Sequence, residues 1–250
     1  PYGRRLAVEF AGPRTFTFGF APECRCRIVA CAGTAQGTIV RLRMDDRSMT
    51  IRSPLIGHHN AGNLAGTAAL ACGIGLPPAM VRRQLSRPLA IPGRLEGFTT
   101  RTRVGIFVDY AHTDDALANV LQTLRDLCHA PGRLTAVFGC GGDRDRTKRP
   151  RMGAAVAEGA DVAYVTSDNP RSEDPEAILD MIAPGLAGAA CTRIADRRAA
   201  IFEAIAEARP DDVVVIAGKG HETYQEARGQ RVHFDDREVA REALDACRGG

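Results

Sequence analysis

Tryptophan is absent from the 250 residues, and Phe, Tyr and Trp together make up 5% of them. That scarcity argues against a stacking platform for single-stranded nucleic acid. A formal charge of +3 is too small, and too evenly spread, to imply nucleic acid by itself. No apolar run approaches the roughly 20 residues of a membrane helix, and no signal-peptide pattern opens the chain. There is no GxxxxGK[ST], hence no Walker A loop. "GCGGDR" at 139–144 also fails GxGxxG, because Arg144 stands where the last glycine belongs. The eight cysteines sit singly, apart from Cys24-x-Cys26, show neither CxxC pairs nor a regular framework, and read as reduced cytosolic thiols. His112 and His221 fit no HExxH or CxxC spacing, so no metal site is expected. Lysine is nearly missing: of 33 cationic residues only Lys148 and Lys219 are not arginine. Both fall in Gly-rich or highly charged segments, where a compact ammonium differs in use from a planar fork.

What is present is ordinary globular material, 44% apolar and 25% charged, enough for two modest domains. Residues 1–57 read as short strands with turns, including "RTFTFGF", "RCRIVACAG", "TIVRLRM" and "SMTIRSPLIG", and suggest antiparallel hairpins. An Ala/Leu-rich helix is expected over 60–72 and a second short one after "LPP". Beyond a boundary near 88–93, strand-like runs alternate with helical ones, which predicts an α/β domain with a mostly parallel sheet over 91–250.

Its strand ends carry the charged and Gly-rich residues: "DYAHTDD", "GCGGDRDRTKRP", "TSDNPRSEDP" and "GKGHE". In a parallel sheet these face one region, where ligands bind. The glycines at 139, 141 and 142 suit a tight turn with exposed N–H groups. Arg146, Arg149 and Arg151 read as a solvated basic rim.

In this order "GHHNAGNLAG", "PGRLE", "DYAHTDDAL", "GGDRDRTKRP", "DNPR" and "AGKGHE" cover nearly the whole chain, and the sequence resembles the Mur ligase family. The resemblance implies the β-hairpin and helical end of a central ATPase domain over 1–90, followed by a complete C-terminal Rossmann-like domain over 91–250. With the chain opening on Pro1, the family's P-loop, magnesium ligands and modified lysine are expected before it, so the chain alone is expected to be inactive. The implied reaction is ATP- and Mg2+-dependent amide formation through an acyl phosphate, in the cytoplasm, during peptidoglycan precursor synthesis. "DNPR" implies meso-diaminopimelate as the amino acid joined to UDP-MurNAc-L-Ala-D-Glu. Carried over by motif, Asn60 and Asn63 fall on the adenine side, Arg94 on the nucleotide phosphate in a catalytic role, and Asp109 on the ribose. The amino-acid contacts fall on Arg144, Asp168, Asn169, Pro170, Arg171, Gly218 and Glu222. Departures from the family pattern are Asp114 for Pro, Ser167 for Asp, Thr147 for Gly, and His59 at a position often aromatic.

Chemistry supports the amino-acid set on its own terms. The distal end of meso-diaminopimelate is a zwitterion, which calls for guanidinium forks for a carboxylate and an acid for an ammonium. Arg144 and Arg171 suit the first task; Glu222, with Asp168, suits the second, and Asn169 both donates and accepts. Alternatives are a truncated non-catalytic amino-acid-binding module and a folylpolyglutamate-synthetase-like enzyme, against which "DNPR" speaks.

Overall fold

The computed structural model describes residues 2–12, 15–34, 37–87, 91–98 and 103–247. Residues divide into two compact units, Pro1–Ala90 and Ile91–Gly250. The expected boundary at 88–93 falls partly on residues 88–90, outside the described set, as does Arg14 at the start of "RTFTFGF".

In the first unit α1 (Tyr2–Glu9) precedes the strands β1 (Phe18–Gly19), β2 (Cys26–Thr34), β3 (Gly37–Met44) and β4 (Arg47–Ser53), which lie in that order in one sheet. The helix corrects the reading of 1–57 as strands and turns. Tyr2–Glu9 has no period-two alternation and is rich in helix formers, with Arg5 and Glu9 one turn apart. β2, β3 and β4 form antiparallel hairpins, but β1 runs parallel to β2, because the chain loops back over 20–25 before re-entering the sheet. Val40, Leu42 and Met44 alternate inward from β3. They meet Ala61, Leu64, Ala65 and Ala68 of α2 (His58–Gly73), whose spacing makes one apolar stripe. α3 (Pro78–Leu85) starts on proline in its first turn.

The second unit is a six-stranded sheet. Its strands are β5 (Glu96–Phe98), β6 (Gly105–Asp109), β7 (Leu134–Phe138), β8 (Val162–Val165), β9 (Cys191–Arg193) and β10 (Val213–Ala217), in the order β5-β6-β10-β7-β8-β9. All neighbours are parallel except the β5 edge. The helices are α4 (Asp114–Arg125), α5 (Lys148–Gly159), α6 (Pro175–Ile182), α7 (Arg197–Ala206) and α8 (Asp236–Ala246). Every residue of β7 and β10 is buried, as expected of parallel strands covered on both faces. Because β10 sits between β6 and β7, the ends of β6, β10, β7 and β8 are consecutive neighbours. α4 starts cleanly on Thr113, whose Oγ1 accepts from Ala116 N, so Asp114 in place of proline does not disturb it. A hairpin of β11 (Tyr224–Ala227) and β12 (Gln230–His233) follows β10, turned by Arg228 and Gly229, both at positive φ. Among the described residues no helix is long and apolar enough to cross a membrane.

One ion pair anchors this unit behind the strand ends. Arg197, the first residue of α7, and Asp236, the first of α8, have fully buried side chains. Nε donates to Oδ1 at 2.8 Å and Nη2 to Oδ2 at 2.7 Å. The remaining donors reach Ser167 O at 3.2 Å and Ala217 O at 3.0 Å, the carbonyls just before Asp168 and Gly218. Asp236→Ala leaves a buried guanidinium without its carboxylate. It is expected to destabilise the protein by about 3–5 kcal/mol in urea unfolding. The double variant Arg197→Met/Asp236→Leu should recover much of that loss.

Candidate functional site

The segment 166–171 leaves β8 and is tied down on three sides. Thr166 N donates to Phe138 O at 2.9 Å, and Ser167 Oγ to Ala195 O at 2.6 Å. Gln225 Nε2 then donates to Asp168 O at 2.8 Å. Arg171 has φ +52°, an unfavourable region for a residue with a side chain. Its backbone is held there from both directions: Arg171 N donates to Glu226 O at 2.9 Å, and Arg228 N to Arg171 O at 2.6 Å. The motif thus lies against β11 as a short extra strand, and the helix start is four residues further on, where Asp174 caps α6.

Asn169 is the hub of the side-chain network. Its Oδ1 accepts from Lys219 Nζ at 2.8 Å and from Glu226 N at 3.0 Å, while its Nδ2 donates to Glu222 Oε2 at 2.9 Å. Lys219 is fully buried and also donates to Tyr224 O at 2.8 Å. Its Nζ lies 3.4 Å from Asp168 Oδ1 and 3.9 Å from Glu222 Oε2. Burial lowers its pKa below the ordinary lysine value, and the Asp168 carboxylate opposes that shift. Asp168 Oδ1 is buried without a hydrogen bond.

The Gly-rich loop after β7 meets this segment. Gly142 N donates to Asn169 O at 2.9 Å, and a methyl at Gly142 would sit 1.9 Å from Pro170 O, so only glycine permits the approach. A methyl at Gly141 would lie 3.0 Å from Arg171 Nη1 and 3.7 Å from Arg144 Cγ, so both arginines approach that residue. Arg171 Nη1 donates to Gly142 O at 2.7 Å, one of its five N–H groups. Arg144 is exposed and, among the described residues, donates to Asp143 O at 3.1 Å. The structure therefore brings Arg144, Asp168, Asn169, Pro170, Arg171, Gly218 and Glu222 together.

The basic-rim reading needs one correction. Arg146 and Arg151 are mostly exposed, but Arg149 is fully buried and grips Glu173 at 2.8 and 3.0 Å. Burying a cation demands such a partner, and its Nη2 also reaches Gly141 O at 3.3 Å. Glu173 Oε1 accepts in turn from Asp143 N at 2.7 Å, which pins the loop.

Arg94 and Asp109 lie elsewhere among the strand ends. Asp109 Oδ2 accepts from Leu95 N and Oδ1 from Ala111 N, both at 2.8 Å, so its carboxylate already shapes the backbone on both sides. The exposed Arg94 guanidinium lies 4.9 Å from the Tyr110 ring, which itself packs against His112 and His221. In the first unit Asn60 Nδ2 donates to Ile56 O at 2.7 Å, and Asn63 Nδ2 to Asn60 Oδ1 at 3.0 Å. Among the described residues no three His, Cys, Asp or Glu side chains converge as a metal site.

Sequence reasoning missed Arg149, Arg197, Asp236, Tyr224 and Gln225, and left Lys219 without a role. The scarcity of lysine was the one available signal for Lys219. Nothing local marks Arg197 or Arg149, whose partners are 39 and 24 residues away.

The Arg149 bonds hold the Glu173 carboxyl down to about 2 from an ordinary 4.5. A depressed carboxyl contributes stability that is present above its unfolded pKa and is lost as pH falls through the folded one. Glu173→Gln is therefore expected to be less stable than wild type at pH 7. In chemical unfolding the gap should close as pH drops from about 4.5 towards 2.

A family model described as "Mur ligase, glutamate ligase domain" matches residues 93–220. The UDP-N-acetylmuramoyl-L-alanyl-D-glutamate–2,6-diaminopimelate ligase of Chlorobaculum tepidum is 45% identical over 90% of this chain and 44% of its own length. The ligase of the same name from Solibacter usitatus is 44% identical over 97% of this chain and 49% of its own. A solved structure of a ligase of that name, 38% identical, superposes over 97% of this chain and 50% of its own with a TM-score of 0.64. The chain spans about half the length of the curated relatives it matches. Sheet, strand-end motifs and relatives agree: the chain belongs to the Mur ligase family.

Proposed function

We propose that this chain carries the amino-acid site of an ATP-dependent ligase that adds meso-2,6-diaminopimelate to UDP-MurNAc-L-Ala-D-Glu in peptidoglycan precursor synthesis. The observation that carries the reading is charge placement. Glu222 is held by Asn169 of the 168–171 segment, and Arg171 and Arg144 both approach Gly141. An acid and two guanidiniums so arranged match the ammonium and carboxylate at the distal end of the amino acid. The diaminopimelate ligases among the relatives support the same choice.

The reaction transfers the γ-phosphoryl group of ATP to the dipeptide's carboxylate. The amine of the amino acid then attacks the acyl carbon, phosphate leaves, and the amine's proton passes to solvent. The part of this chain is to orient the nucleophile, by fixing the far end of the amino acid so that its reactive amine is presented in one pose. On the nucleotide side Asn60 and Asn63 serve adenine, Asp109 the ribose, and Arg94 the phosphates, where it neutralises charge during transfer. Mg2+ is assigned to no residue of this chain.

L-lysine lacks the distal carboxylate and would leave Arg171 and Arg144 without it. In calorimetric titration the chain is expected to prefer meso-diaminopimelate over L-lysine by about 10²-fold or more. Arg171→Ala should remove most of that preference while sparing L-lysine binding. Equal affinity of the wild type for both amino acids contradicts the reading.

A further inference from the structure

The buried ammonium of Lys219 is surrounded by groups assigned to the amino acid, Asp168, Asn169 and Glu222. We infer that Lys219 is a positioning residue. Together with Glu226 N–H, it fixes the orientation of the Asn169 amide, and through that amide the Glu222 carboxylate that receives the distal ammonium. The inference deepens the acceptor-site reading and rests on it.

An asparagine side chain is ambiguous, with an acceptor on one side and two donors on the other. At Asn169 two donors converge on one position: Lys219 Nζ at 2.8 Å and Glu226 N at 3.0 Å. Only the oxygen fits there. Rotating the amide by half a turn would set its NH2 against an ammonium and a backbone N–H, and its oxygen against the Glu222 carboxylate. All three contacts would become repulsive. With the oxygen fixed, Nδ2 must face Glu222 Oε2, at 2.9 Å. One carboxylate oxygen is thereby held, which fixes the direction of the other.

Lys219 also balances charge. It sits 3.4 Å from Asp168 Oδ1 and 3.9 Å from Glu222 Oε2, while Arg197 behind it is already neutralised by Asp236. Two acids and one ammonium leave a single negative charge, the complement of one ligand ammonium. An arginine could not replace it. The space accepts one point donor with partners in several directions, Asn169 Oδ1 and Tyr224 O among them, rather than a planar fork.

The test is a double-mutant cycle on the 250-residue chain, with Lys219→Met, Asn169→Leu and the pair titrated with meso-diaminopimelate. Each single variant is expected to weaken binding by about tenfold or more, and the double variant no further than the weaker single. Additive losses overturn the inference, because a lysine that merely supports the fold would not act through Asn169. A ligand-free readout separates this outcome from failure of the functional reading. Nuclear Overhauser contacts from the Asn169 Nδ2 protons to the Glu222 side chain should be present in wild type and weaker in Lys219→Met, where Glu226 N–H is the donor left on the Asn169 oxygen. Contacts of undiminished intensity in Lys219→Met overturn the inference, whether or not any amino acid binds. If Lys219→Met does not fold, Glu222→Gln decides. It spares Lys219, so the Asn169 Nδ2 protons should still face residue 222, and a reoriented amide overturns the inference.

Discussion

Arg197 and Asp236 bury opposite charges where two helices start, and the site in front of them depends on that pair. The guanidinium satisfies the carboxylate and also two carbonyls, Ser167 O and Ala217 O, at the ends of β8 and β10. Those carbonyls immediately precede Asp168 and Gly218. Two strand ends adjacent to the candidate site are thus clamped to one side chain, in a region where an unpaired charge would be costly. Burial works against the charged form of Arg197, and the carboxylates of Asp236, Asp168 and Glu222 together outweigh it, leaving the guanidinium more firmly protonated than in water.

Two further cations extend the same logic outward. Arg149 ties α5 to Glu173 and, through Glu173, to the backbone of Asp143. Lys219 ties the end of β10 to Asn169 and to Tyr224 of the hairpin. Beside these ties Arg171 stands in a left-handed backbone conformation. Residues in such conformations persist where their surroundings over-determine them. Here the determining contacts are the bonds on each side of Arg171, to Glu226 O and from Arg228 N.

The parallel sheet was legible because its central strands are buried on both faces and read as apolar runs, Val213–Ala217 most plainly. β5 and β9 were not, since three-residue edge strands show no period. The β11–β12 hairpin is polar and half-exposed, so pattern alone does not separate it from a loop, although Arg228-Gly229 is a turn signal. α8 was legible and overlooked: Val239, Ala240, Ala243 and Leu244 make a helical stripe behind the cap Asp235. The motif residues on the amino-acid side could be named from sequence, but not their wiring. Arg149 reads as one more surface charge in "RTKRPR", because its partner Glu173 is 24 residues away, and the glycines at 141 and 142 allow close approach to Arg171 and Pro170.

The central claim concerns where the two charges of one amino-acid end are received, and a crystal structure of the chain with meso-diaminopimelate tests it most directly. The account predicts the distal carboxylate within hydrogen-bond reach of Arg171 and Arg144, roughly 2.7–2.9 Å for a charge-assisted pair, and the distal ammonium on Glu222. A ligand bound with those ends reversed, or bound away from the 168–171 segment, would contradict it.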